Sequence, residues 1–243
     1  MSDGSPAQKP RLNLIATQWS MIGDPTWFLV RYGPAIRQYL MSIVHNADDA
    51  DEVAQEFFLR VLKHGFDRAS EDRGRFRNYL IVAVRNAALT YLKRKGARPA
   101  SVDVSLLPGA ADTADAQWLA EWRKCVLKNT WRALEHHQQR SNGNLFHTVL
   151  LASVDHPDED SVTLAARVSA SSGQPLRPDA FRKQLSRARR RFAELLIAEV
   201  GSTLDDATPE MIEEELRQFD LHKYVRSYLP AGWQTWTTRA DKP

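Results

Sequence analysis

The sequence predicts an all-α protein: two small helical domains joined by a flexible linker, followed by a C-terminal helical extension. Three observations carry this expectation. Apolar residues recur three and four apart along most of the chain, the period of one buried helix face. Stretches rich in small residues, Gly and Pro divide the periodic runs, most clearly at residues 96–115. Basic residues gather on two of the predicted helices and acidic residues on two others, so charge is segregated although the net charge is only +3.

At 243 residues the chain can bury one or two cores, and 43% apolar with 26% charged residues is ordinary globular composition. Cys125 is the sole cysteine, which excludes an intrachain disulfide and points to a reducing compartment. There is no CxxC or HExxH pattern, and the adjacent His136 and His137 diverge on a helix, so no metal and no cofactor are expected. A clustered carboxylate and histidine constellation is also missing, which argues against an enzyme. The first residues hold no apolar core of signal-peptide length, and the longest apolar run, Leu80 to Val84, is far too short for a bilayer. A cytoplasmic protein without membrane contact is the expectation.

Residues 1–11 are small, polar and Pro-containing, and read as a disordered leader. From Ile15 two short helical patterns flank Gly23-Asp24-Pro25, with Pro25 suited to a first helical position. Pro34 is expected to kink or divide the second pattern, and Ile36, Leu40, Ile43 and Val44 carry it onward. Trp19, Trp27, Phe28 and Tyr32 read as core aromatics. The next helix puts Val53, Ala54, Phe57, Phe58, Val61 and Leu62 in one core-facing sector. Opposite lie Asp48, Asp51, Glu52, Gln55 and Glu56, with the apolar Leu59 among them. Acids near a helix N-terminus complement its dipole, and an apolar residue within such a patch suits docking to a basic partner.

His64 to Arg75 reads as a loop, and from Phe76 to about Lys95 a helix resumes with Phe76, Leu80, Ala83, Val84, Ala87 and Tyr91 on one face. Lys93, Arg94, Lys95 and Arg98 crowd its end, and Arg73, Arg75, Arg77 and Arg85 spread positive charge along the segment with Tyr79 interleaved. Cations for phosphates, with rings and amides for unstacked bases, are what single-stranded nucleic acid requires.

The run DADEVAQEFFLRVLK, followed by FDRASEDRGRFRNYLIVAVRNAALTYLKRK, resembles domain 2 of bacterial sigma factors of the extracytoplasmic-function type. The QEFF and RGRFRNYL variants are similar to those of sigma factors abundant in planctomycetes. This resemblance implies that residues 12–98 are sigma domain 2, whose acidic helix binds core RNA polymerase through Asp48, Asp51, Glu52, Gln55, Glu56 and Leu59. It further implies that Arg75, Phe76, Arg77, Tyr79, Arg85, Asn86 and Lys93 meet the melted −10 element, with Asn86 and Arg85 as base readers.

Residues 99–115 are the expected linker. From Asp115, Trp118, Leu119, Trp122, Val126, Leu127, Trp131 and Leu134 mark a long amphipathic helix that Ser141-Asn142-Gly143-Asn144 stops. Leu145 to Val154 and Val162 to Val168 form two further helices, and Ala170 to Arg177 is expected as a turn. Pro178-Asp179 opens the last helix of this part, with Phe181, Leu185, Ala188, Phe192, Leu195 and Leu196 along one apolar seam. Six cations, Arg182, Lys183, Arg187, Arg189, Arg190 and Arg191, fall in ten residues away from that seam. Helix, turn and basic helix make a helix-turn-helix whose second helix enters a major groove. The segment TLAARVSASSGQPLRPDAFRKQLSRARRRFAELL resembles sigma domain 4, implying that residues 116–200 grip duplex −35 DNA. On that resemblance Asp179, Arg182, Lys183 and Ser186 meet bases, and Arg187, Arg189 and Arg190 meet bases or backbone. The expected turn is longer than the family's usual tight one.

Residues 201–243 reverse the charge: Asp205, Asp206, Glu210, Glu213, Glu214, Glu215 and Asp220 dominate, and Thr208-Pro209 opens a helix with Ile212, Leu216, Phe219, Val225 and Leu229 on its apolar side. Two roles fit this extension, a permanent brace on the preceding domain or a mask over a basic face. The resemblance as a whole implies a specificity subunit that joins core RNA polymerase to promoter DNA, duplex at −35 and melted at −10, with an anti-sigma factor or another regulator as a further partner. The alternative from the residues alone is a stand-alone helix-turn-helix regulator that never joins the polymerase.

Overall fold

The computed structural model describes residues 25–64, 76–96, 110–141, 143–204 and 207–228. The leader, Trp19, the loop through Arg75, the linker as far as residue 109, and the tail with Leu229, Trp233 and Trp236 lie outside the described residues. What is described is helix and turn throughout, the all-α fold expected.

Helix α1 (Pro25–Val44) runs unbroken through Pro34, which was expected to kink or divide it. Pro34 is exposed, so the carbonyl one turn back at Val30, also exposed, meets solvent instead of a lost N–H. The opposite face, Phe28, Tyr32, Ala35, Ile36, Tyr39 and Leu40, is fully buried and holds the helix together across the proline. A two-residue connection with His45 at φ 54° turns the chain back, and Asn46 Oδ1 accepts from Asp49 N at 3.0 Å to cap α2 (Ala47–His64). Ala50, Val53, Ala54, Phe57 and Val61 of α2 face α1. Leu62, expected in that sector, is 47% exposed. It lies at the edge of the predicted stripe, bordering the outward face of α2. Helix α3 (Phe76–Arg94) closes the unit with Phe76, Leu80, Val84, Ala87, Ala88 and Tyr91 inward.

Helix α4 (Ala110–Arg140) begins inside the stretch expected as linker. Its first half lies on α1: Trp122 stacks on Tyr32 with ring centroids 4.2 Å apart and planes at 7°, and Trp118 meets Tyr39 edge-on at 5.3 Å. Its second half carries Trp131 and Leu134 against α5 (Phe146–Asp155) and α7 (Pro178–Gly201). Helix α6 (Ser161–Ser172) is capped by Asp160, whose Oδ1 accepts from Val162 N at 3.1 Å and Thr163 N at 2.8 Å. The helix continues to Ser172, so the turn before α7 is only Gly173 to Arg177, shorter than expected. Gly173 at φ 68° supplies the left-handed stop, which a residue with a Cβ adopts at a cost.

The chain then returns. Thr208 Oγ1 accepts from Met211 N at 3.3 Å and Pro209 occupies the first turn of α8 (Pro209–Gln218), followed by α9 (His222–Val225) and a 3₁₀ turn at Arg226–Tyr228. Ile212, Leu216, Phe219, Leu221 and Val225 join the same continuous core as α1, α2, α3, the first half of α4 and the last turns of α7. A second small core, Leu145, Val149, Leu164, Ala165, Val168 and Phe181, holds α5, α6 and the start of α7 together.

Candidate nucleic-acid and partner interfaces

Three outward faces carry the residues singled out above. On α2, Asp48, Glu52, Gln55, Leu59 and Leu62 stand at intervals of four, three, four and three, so they form one exposed stripe opposite the core. It is polar at its N-terminal end and apolar at the other, where Leu59 is 55% exposed. The remaining acids are engaged within the protein. Arg37 of α1 forms a two-pronged pair with Asp51, its Nη2 donating to Oδ2 at 2.8 Å. Arg94 donates to Glu56 at 2.7 Å, and Lys95 to both oxygens of Asp49 at 2.5 and 2.7 Å. The Tyr91 hydroxyl lies between Glu52 and Asp49 at 2.8 and 2.9 Å. Hydrogen bonds from Lys95 and Tyr91 hold the Asp49 carboxyl below its usual range, and the Arg37 guanidinium does the same for Asp51. The Tyr91 phenol is pushed well up, first by its bond to Glu52 and then by burial. Four of the acids on this helix, the exposed Glu52 among them, therefore tie α2 to α1 and α3, while Asp48, Gln55, Leu59 and Leu62 face outward without such a tie.

Helix α3 separates its residues more sharply. Phe76 is buried and meets Phe28 edge-on at 5.4 Å, and Tyr79 is half-buried beside it. Arg77, only 8% exposed, reaches α8, where its Nη2 donates to Gln218 Oε1 at 2.6 Å and Glu215 Oε1 at 3.2 Å. Arg85 donates to the Tyr39 hydroxyl at 3.0 Å and to Asp115 of α4 at 2.6 Å, a strut between α3 and α4. Asn86 and Lys93 are exposed. They share their face with Asn78 and with Val82, 51% exposed, neither of which the sequence singled out. An exposed valine between two asparagines four residues to either side is the signal that could have found this stripe.

On α7, Asp179, Lys183, Ser186 and Arg190 stand at intervals of four, three and four and form one exposed line. Arg182 and Arg187 flank it. Arg182 pairs with Asp179 and donates to Ser161 Oγ of α6 at 2.8 Å. Arg189 turns the other way and lies 5.7 Å from the Tyr228 ring. Gln184 Oε1 accepts from Leu145 N at 2.8 Å and fixes the start of α5 to this helix. The last turns of α7 are largely buried, with Leu196, Ile197, Glu199, Val200 and Gly201 all inside. There Glu199 accepts from Tyr32 Oη at 3.1 Å and Asn129 Nδ2 at 2.9 Å and pairs with Arg31. Burial pushes the Tyr32 phenol up to about 12.

Among the described residues no group of His, Cys, Asp and Glu could hold a metal ion, and no helix is long and apolar enough to cross a membrane. No curated protein and no solved structure matches the chain. Residues 28–98, which hold most of α1, all of α2 and all of α3 with both of their outward stripes, match the family model for sigma-70 region 2.

Proposed function

We propose that this chain is a promoter-specificity subunit of bacterial RNA polymerase, a sigma factor of the extracytoplasmic-function type in the flavour abundant in planctomycetes. The observation that carries the reading is the placement of two distinct outward stripes on the segment that matches sigma-70 region 2. The α2 stripe, Asp48, Glu52, Gln55, Leu59 and Leu62, suits a partner protein because it joins charge to exposed apolar surface. The α3 stripe, Asn78, Val82, Asn86 and Lys93, suits an unpaired strand: amides for base edges, an apolar side chain for a base face, a cation for phosphate.

In this reading α2 docks on the core enzyme while α3 captures bases of the −10 element, and the α5–α7 unit holds −35 duplex. On α7, the exposed Arg182 and Lys183 near the helix N-terminus would meet base edges, and Arg187 and Arg190 farther along would meet phosphates. Melting needs no covalent chemistry, because contacts to the captured strand offset lost stacking. The test is Asn86→Ala, with promoter opening followed by permanganate footprinting. Opening should fall by tenfold or more while binding to core polymerase is retained, and loss of core binding instead would remove Asn86 from the strand-reading role.

A further inference from the structure

The Arg77 side of α3 already has an occupant, and it is the chain's own α8. The guanidinium sits between the Glu215 carboxylate, the Gln218 amide oxygen and the Phe219 ring, whose centroid is 5.5 Å away. A carboxylate, a carbonyl oxygen and an aromatic face are what phosphate, base edge and base face would offer the same cation. The pairing is incomplete, since Arg77 Nε is buried without a partner. Two apolar residues of similar size would hold α8 at least as well as a buried ion pair does, so packing alone gives no reason for a cation here. The same extension reaches the second basic helix, where Tyr228 covers Arg189.

We propose that α8 is an internal competitor for nucleic acid: it holds Arg77 in the closed state, and its release turns that guanidinium to the backbone of the captured strand. The inference rests on the promoter-binding reading above and adds to it regulation by the chain's own C-terminal helix. A binding-competent state that is only fractionally populated weakens the apparent affinity by that fraction, so loosening α8 must tighten binding.

The experiment is fluorescence anisotropy of a labelled, randomised single-stranded DNA with the full chain and with Phe219→Ala, which loosens α8 without changing charge. Phe219→Ala should bind at least fivefold more tightly, and adding Arg77→Ala should abolish that gain. Equal or weaker binding by a Phe219→Ala protein of unchanged helix content overturns the competitor, as does an equal loss from Arg77→Ala in both backgrounds. If Phe219→Ala does not fold, hydrogen exchange on the natural chain decides. Saturating DNA should raise exchange over residues 209–219 at least fivefold, and unchanged protection overturns the proposal. Absence of binding by every variant would sink the promoter reading itself, an outcome separate from equal binding by all.

Discussion

Arg77 on α3 and Glu215 on α8 are 138 positions apart in sequence and 3.2 Å apart in space, and both are buried. This pair is the polar centre of the contact by which the C-terminal extension closes onto the segment matching sigma-70 region 2. Removing Glu215 leaves the buried Arg77 guanidinium without its countercharge, whereas replacing both members does not. Glu215→Ala should lower stability by roughly 3 kcal/mol, and the joint change Arg77→Met with Glu215→Leu should stay within about 1 kcal/mol of the natural chain. Urea denaturation followed by circular dichroism checks both; equal losses would show that the charges are not coupled.

Glu199 plays the corresponding part between α1, α4 and α7. Its carboxylate is shared by the buried Tyr32 and Asn129 and the half-buried Arg31, so Glu199→Ala removes the acceptor that ties α1, α4 and α7 together. A loss of about 3–5 kcal/mol is expected, with Glu199→Gln milder because the amide oxygen still accepts. Urea midpoints of the two variants provide the comparison.

The ionisable groups set both arms of the pH–stability profile. Asp49 and Asp51 have depressed carboxyls in the folded protein. Their contribution is therefore complete above the ordinary carboxylate range and is lost as pH falls through their lowered folded values. Tyr32 and Tyr91 are raised from 10.0, Tyr32 to about 12. Their contribution is complete below the ordinary phenol value and disappears as pH rises through the folded ones. Urea midpoints should hold flat through neutral pH and fall at both ends, and Asp51→Asn should soften the acid arm while leaving the alkaline arm in place.

If α7 grips duplex as proposed, its exposed line and the flanking Arg182 should separate specificity from affinity. Arg190→Ala should weaken binding to any duplex and reduce the slope of log affinity against log salt by about 1. Arg182→Ala should instead narrow the gap between preferred and random duplex by roughly 1–3 kcal/mol. Salt titrations with both duplexes measure the two effects, and identical behaviour of the variants would contradict the division.

Much of this was legible locally. Phe181, Leu185 and Ala188 on α7, and Val53, Phe57 and Val61 on α2, turn inward as their spacing predicts, because a helix wheel depends only on neighbours in sequence. Thr208-Pro209 opens a helix for the same local reason. The placement of Arg77 was not legible. It lies in a run of arginines that reads as solvated or DNA-facing, and its partners come from the far end of the chain. Periodicity also could not tell that Arg85 is spent on Tyr39 and Asp115, or that α4 would give its tryptophans to α1. Pro34 did not divide α1, because a local rule about one hydrogen bond was outweighed by a continuous buried face.

The central claim is that the α2 stripe joins this chain to core RNA polymerase, and the most direct measurement is binding of the labelled full chain to core enzyme in competition with a primary sigma factor. The account expects saturable, competitive binding that Leu59→Asp weakens at least tenfold without changing helix content. Failure to bind core enzyme by the natural chain, with α8 intact or loosened by Phe219→Ala, would contradict it.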